Sequence, residues 1–200
     1  MSIIPLEQAH AASIAHLHAE ALAGDFLPSL GENFLREFYN SALRTGSLIG
    51  FVDIQEQQLI GFICGSHNTP KLFWNVLADS VWRLGWYALP ELLHRPSLLV
   101  KAAETCLYPQ RASSATVKAE LLVIAVKKDW RSRGIGAALV KALEIAFLAS
   151  TINSYKVTVL QANDRANSFY DRLGFQMNGK FNLHRREWNL YIRNLNEAVT

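Results

Sequence analysis

The sequence predicts a single α/β domain over residues 1–200, built on a mixed sheet with helices on both faces and a helical insertion before its central strand. Three observations carry this. β-rich apolar runs alternate with amphipathic helical stretches from residue 120 onward. Two further β-rich runs, 48–54 and 59–64, are separated only by the polar Gln55-Glu56-Gln57-Gln58. Between these regions lies a tryptophan-rich helical block, about 70–114, bounded by prolines. Two hundred residues leave room for one core and a modest insertion, not for two independent cores.

Taken in order, residues 3–6 start extended, and the alanine-rich stretch 7–23 carries Ile14, Leu17 and Leu22 at near-helical spacing. Gly24 to Ser29 breaks that helix, and Phe34, Leu35, Phe38 and Leu43 mark a second amphipathic helix over 30–43. The runs 48–54 and 59–64 then form an antiparallel hairpin. After the insertion come a strand at 121–126, a helix at 134–150, a strand at 155–160, a helix at 164–173 and strands at 174–181 and 187–192. In the insertion, Phe73, Leu77, Val81 and Leu84 follow one helical face, expected to pack on the domain, while Trp74, Ala78, Trp82 and Trp86 follow another. The second face calls for its own partner: an acceptor-pocket wall, a subunit interface in a homodimer, or a membrane surface, the last disfavoured by sparse basic residues accompanied by Asp79 and Glu91.

Half of the residues are apolar and 18% are charged, which excludes fibrous and disordered classes. A net charge of +3 suits anionic small molecules, but Lys and Arg are scattered with no dense run, so no nucleic-acid partner is expected. Cys64 and Cys106 make neither a CxxC metal pair nor a disulfide framework and indicate a reducing cytoplasm. No window reaches the roughly 18 apolar residues of a membrane span, and no secretory pattern opens the chain, so a cytoplasmic protein is expected.

The chemistry concentrates after the strand at 121–126. There Arg131-Ser132-Arg133-Gly134-Ile135-Gly136-Ala137 forms a basic, glycine-containing turn that opens a helix with Leu139 and Leu143 inward. Glycines allow close backbone approach, unpaired N–H groups at a helix start favour anions, and the arginines add countercharge, so a diphosphate is the natural guest. A Walker loop would need Gly-Lys-Ser/Thr. The dinucleotide fingerprint needs a small residue where Leu139 stands and an acid after the next strand, where 155–161 has none.

Arg131-x-x-Gly134-x-Gly136-Ala137 behind a strand resembles the coenzyme A pyrophosphate loop of the GCN5-related N-acetyltransferase (GNAT) family. The stretch from Asn163 to Phe175, with Tyr170 and a Leu173-Gly174-Phe175 ending, is similar to that family's fourth conserved segment, and the two occur in the right order and spacing. The resemblance covers about 48–192 in element order, with motif support from 120 to 175; the block 70–114 departs from it. It implies a mostly antiparallel sheet that splays between two parallel central strands, with pantetheine in the gap against the main chain of Ile124, Ala125 and Val126. It also implies acetyl-CoA as cosubstrate, no metal, and direct attack by a primary amine on the thioester in a ternary complex.

The same resemblance places Tyr170 before the coenzyme sulfur as general acid. Its register agrees, since Phe169 and Leu173 share one helical face while Tyr170 lies about 100 degrees round. Asn163 and Asn167 are further cofactor contacts, with Asn163 or Asp164 capping the helix and Gly174 ending it. Glu120 resembles the strand-borne glutamate that serves some members as base; otherwise it is a solvated strand-end residue. His10, His16 and His18 lack the companions of a metal set, His67 is either a loop residue facing the acceptor or a loop residue with no such role, and the cysteines lack a triad for a covalent acyl-enzyme. A small amine or amino sugar is the first expectation for the acceptor, because the insertion would roof a small pocket. A protein N-terminus or lysine is second, and a non-catalytic acyl-CoA sensor or interaction module is the reading from another class.

Overall fold

The computed structural model describes residues 2–111 and 117–196, with the side chains of 106–111 outside the description. The element order is β1 (Ile3–Pro5), α1 (Ala11–Ala21), α2 (Glu32–Arg44), β2 (Ile49–Gln55), β3 (Gln58–Ser66), α3 (Thr69–His94), α4 (Ser97–Arg111), β4 (Glu120–Val126), α5 (Ile135–Ala149), β5 (Ser154–Leu160), α6 (Asp164–Arg172), β6 (Gln176–Leu183) and β7 (Arg186–Asn194). One seven-stranded sheet runs β1-β2-β3-β4-β5-β7-β6. Every neighbouring pair is antiparallel except β4 with β5. The mixed sheet with one parallel central pair is the fold the sequence predicts.

Period-two alternation divides the core between the two faces. Phe62 of β3 points toward α1, α2 and α3, where Ile14, Leu17, Leu35, Tyr39 and Leu72 are buried. Ile63 points the other way, toward Leu139, Leu143 and Phe147 of α5 and Tyr155 of β5. In α5, Ile135, Leu139, Leu143 and Phe147 repeat every fourth residue and lie wholly inside, so that face of the helix is fixed by burial.

His18 belongs to the first face. It is buried and shares a 2.7 Å hydrogen bond through Nδ1 with the Tyr39 hydroxyl. Burial lowers its pKa to about 4 from the usual 6.5. The unfolded chain therefore binds the extra proton between these values, and stability must fall as pH drops from 7 to 4. The expected loss from this residue is about 3 kcal/mol, checked by chemical unfolding across that range, with His18→Gln flattening the slope.

The insertion is helical, as expected, but its buried face differs. Leu72, Val76, Leu84 and Ala88 are the inward residues of α3, not Phe73, Leu77 and Val81, which border an apolar slot between α2, α3 and α4. Ser80 (φ −138°, ψ 18°) breaks the helix in the middle. Its hydroxyl donates to Glu37 at 2.9 Å, and Arg44 and Ser41 donate to the neighbouring Asp79, holding that carboxyl well below the ordinary range. Trp74, Trp82 and Trp86, for which an acceptor-pocket wall was one of three expected roles, are exposed and line neither this slot nor the cleft between β4 and β5. Cys64 is buried, and burial raises its thiol pKa; the Cys106 side chain lies outside the described residues. No described helix is long and apolar enough to cross a membrane.

Candidate active site

The cleft follows from how β4 and β5 pair. They are in register only at Glu120–Lys156 and Leu121–Val157. Beyond Leu121, β4 keeps β3 on one side, through Ile63–Ile124, Phe62–Ala125 and Gly61–Val126, while its other edge faces open space. A bulge at Leu122 of β4, between the pairs Cys64–Val123 and Gly65–Leu121, accompanies this divergence. The resulting cleft has a volume of about 490 Å³. Its walls are β4 from Ile124 to Val126, the loop and first turn of α5, one side of α6, and Ala21 and Leu22 at the end of α1.

The loop is shaped by backbone chemistry. Lys127 N–H donates to Ile60 O at 2.8 Å and anchors its start on β3. Ser132 (φ 63°) and Gly134 (φ 80°) are both left-handed, which turns successive amides toward one side. The α5 hydrogen bonds begin with Ala138 N–H to Gly134 O at 3.0 Å, so the amides of Ile135, Gly136 and Ala137 head the helix without intrahelical partners. Together with the helix dipole they form a donor cradle for an anion.

Side chains around the cradle sort into contacts and supports. Arg131 borders the cleft and donates from Nε to Val126 O at 2.8 Å, which fixes its guanidinium at the end of β4. Arg133, expected beside it, lies off the cleft wall with its guanidinium 4.9 Å over the Trp130 ring. Arg165 takes that place: it lines the cleft and donates to Ser132 Oγ at 3.4 Å, and Arg172 lines the same wall. Neither was singled out from sequence, although both lie in the segment that carries Tyr170, seven residues apart on one side of α6. Gly136 is small for a packing reason. A Cβ there would come 3.3 Å from the Phe169 ring, so the glycine lets α6 close on α5.

Tyr170 lies in the inner wall and is only 4% exposed. Phe175 and Phe169 pack edge-on against it with centroids at 5.0 and 5.2 Å. Burial pushes its hydroxyl pKa above the ordinary 10, so it stays protonated at neutral pH. Phe169 also lines the cleft.

Two expected contacts have other tasks. Asn167 does not border the cleft: its amide nitrogen donates to the carbonyls of Leu160, Gln161 and Asn163, and its oxygen accepts from Asn189 and Tyr191. With those valences used it braces α6 on β5 and β7. Asn163 caps α6 by accepting from Ala166 N–H at 3.1 Å and also lines the cleft. His67 packs on Phe147 with centroids 6.0 Å apart, at the far end of α5 from the loop, and so does not face the cleft.

Glu120 is neither solvated nor on the cleft wall. Its side chain is 2% exposed, with Lys156 Nζ at 3.9 Å, where β4 and β5 are still paired. By strand rise, the Ile124 backbone is about 13 Å further along.

The acetyltransferase (GNAT) family model matches residues 14–175, and the chain belongs to that family. No curated protein matches the sequence. Among solved structures, the ribosomal-protein-alanine N-acetyltransferase from Brucella melitensis superposes with a TM-score of 0.63 at 13% identity, covering 98% of this chain and 100% of that one. NAA60 from Arabidopsis thaliana in complex with acetyl-CoA gives 0.60 at 14% identity, with 98% of each chain covered. PaiA N-acetyltransferase from Thermoplasma acidophilum in complex with coenzyme A gives 0.59 at 17%, covering 97% and 99%. At these identities the likeness is one of fold.

Proposed function

We propose that this chain is one acyltransferase unit over 1–200, moving an acetyl group from acetyl-CoA to a primary amine by direct attack with both substrates bound. The observation that carries this reading is the divergence of β4 from β5 after Leu121, which places an anion cradle at one end of a cleft and Tyr170 in its inner wall. The amides of Ile135, Gly136 and Ala137, with Arg131 and Arg165, are placed to hold a diphosphate. The free edge of Ile124, Ala125 and Val126 offers main-chain groups to an extended pantetheine arm. Ser132, Gly134 and Asn163 shape this surface, and Arg133 supports it through Trp130.

In the reaction, the amine nitrogen bonds to the thioester carbon as the carbon–sulfur bond breaks. A β4 amide polarises the carbonyl oxygen. The amine must first be neutral, which for an ordinary lysine-type amine with a pKa of about 10.4 requires a base. Glu120 is the proposed base, acting through water from its buried position. Tyr170, kept protonated by burial, supplies a proton to the departing sulfur and recovers the one that the new amide nitrogen sheds.

The preference for a small amine or amino sugar rested on a roof over the cleft, and no described residue of 69–111 lines it. The name of the Brucella melitensis neighbour adds ribosomal-protein alanine N-termini as an acceptor class of equal standing. The lack of a membrane-spanning helix among the described residues and the buried Cys64 thiol fit a cytoplasmic setting. The test is coenzyme A thiol release from acetyl-CoA over a panel of polyamines, amino sugars and alanine-initiated peptides. Acceptor-dependent release supports the proposal; acetyl-CoA binding without release from any acceptor indicates a sensor.

Glu120→Gln should remove the lower limb of the rate-versus-pH profile if the glutamate is the base, and leave it in place if its role is to pair with Lys156. Either way the substitution leaves a buried ammonium less compensated and should cost about 3 kcal/mol of stability, read by chemical unfolding.

A further inference from the structure

The exposed side of α3 is apolar over most of its length. Trp74 is 74% exposed, Trp82 89%, Trp86 73% and Leu93 72%, and Leu99 and Val100 of α4 continue the surface at 57% and 63%. Trp74 stands before the break at Ser80; after it, Trp82, Trp86 and Leu93 share one helical face about 16 Å long by helical rise. Solvated tryptophans in such a row are not ordinary scattered surface residues.

Its charges select the occupant. Lys71 and Arg95 are exposed along this side, and Arg83, also exposed, already pairs with Glu37 at 3.2 Å. Asp79 is taken by Arg44, Glu104 is paired with His184, and Glu91 is half-buried. A second copy laid antiparallel would bring Lys71 of one chain toward Arg95 of the other, and a parallel copy would set each cation against itself. Anionic phosphate groups meet the same cations favourably. Tryptophan, with an apolar ring and one N–H donor, suits the boundary between headgroups and hydrocarbon.

A second feature agrees. Beside this face lies a slot of about 250 Å³ between α2, α3 and α4, walled by Phe34, Phe38, Phe73, Leu77 and Leu92. It reaches the surface at Val81 and Gly85, both exposed. Gly85 sits in mid-helix, where a Cβ would meet nothing within 4 Å, so no packing demand explains a residue that weakens the helix. A hydrocarbon tail fills an apolar slot of this kind, whereas a rigid second helix does not.

We infer that the Trp82–Leu93 face of α3, with Leu99 and Val100 of α4, docks on a phospholipid surface, the slot beside it receiving hydrocarbon. This would be attachment along a face, distinct from a membrane span, and it does not rest on the acetyl-transfer reading.

The test is co-sedimentation with vesicles of phosphatidylcholine alone and with added phosphatidylglycerol, alongside light scattering in their absence. Wild-type protein should bind both, more tightly with phosphatidylglycerol. Its tryptophan emission should shift to the blue and be quenched by brominated lipid. Trp82→Ala with Trp86→Ala should lower partitioning at least about tenfold, through loss of two large apolar side chains from the boundary. Leu93→Glu, at an exposed position that cannot disturb the core, should do the same, and Trp188→Phe on β7 should bind as wild type. Absence of wild-type binding to both vesicles overturns the inference. So does binding abolished by salt and indifferent to Trp82, Trp86 and Leu93, or a dimer broken by these substitutions in a protein that ignores vesicles.

Discussion

Replacing Tyr170 by phenylalanine is expected to leave acetyl-CoA affinity within about twofold of wild type and to lower turnover by about 10² to 10⁴, the range for losing a general acid. The prediction is sharp because the ring is held independently of its hydroxyl. Phe175 and Phe169 pack edge-on against it, and the side chain is almost wholly buried, so phenylalanine keeps the volume and the contacts. Among the described residues the hydroxyl makes no hydrogen bond, so its removal leaves no partner orphaned and should not unfold the chain. Steady-state thiol release with an acceptor from the panel, beside calorimetric titration of acetyl-CoA, separates the two effects. Turnover near wild type would return Tyr170 to a packing role.

Reversing charge at Arg131 together with Arg165 should weaken acetyl-CoA binding by about 10² or more, since two charge-assisted contacts to a diphosphate are replaced by repulsion. Arg133→Glu should change affinity by less than about threefold, because that guanidinium lies over the Trp130 ring and off the cleft wall. Titration of the variants checks this, with thermal unfolding confirming that Arg131→Glu keeps its fold despite losing the bond to Val126 O. Equal losses from Arg133→Glu and Arg165→Glu would contradict the assigned geometry.

These two expectations show which parts of the site are legible in one dimension. The strand, basic turn and helix of 120–149 are contiguous, and their chemistry follows from glycine conformation and helix-start amides, so the cradle could be read directly. Tyr170 was reachable through helical register together with the family resemblance. Arg165 was not, because only the closure of α6 on α5, permitted by Gly136 against Phe169, brings it to Ser132. Asn167 shows the converse: an asparagine in a functional segment looks available until three carbonyls and two donors are found around it.

In α3 the difficulty lay in periodicity itself. Leu72 and Val76 recur at the same spacing as Phe73 and Leu77, and the break at Ser80 resets the phase between the two halves of the helix. Apolar spacing therefore could not tell the core stripe from the slot-lining one. Glu120 illustrates a further limit, since a charged residue at a strand start reads as solvated, and only the neighbouring parallel strand supplies Lys156 and the burial.

The central claim, that the β4/β5 cleft is an acetyl-CoA site, is tested most directly by calorimetric titration of the wild-type protein with acetyl-CoA and, separately, with NAD. The account predicts saturable binding of one acetyl-CoA per chain and no binding of NAD. A melting temperature raised by acetyl-CoA would accompany this, by roughly 2.7 kcal/mol of added stability at about a hundred times the dissociation constant. No heat with acetyl-CoA, or saturable binding of NAD in its place, would contradict it.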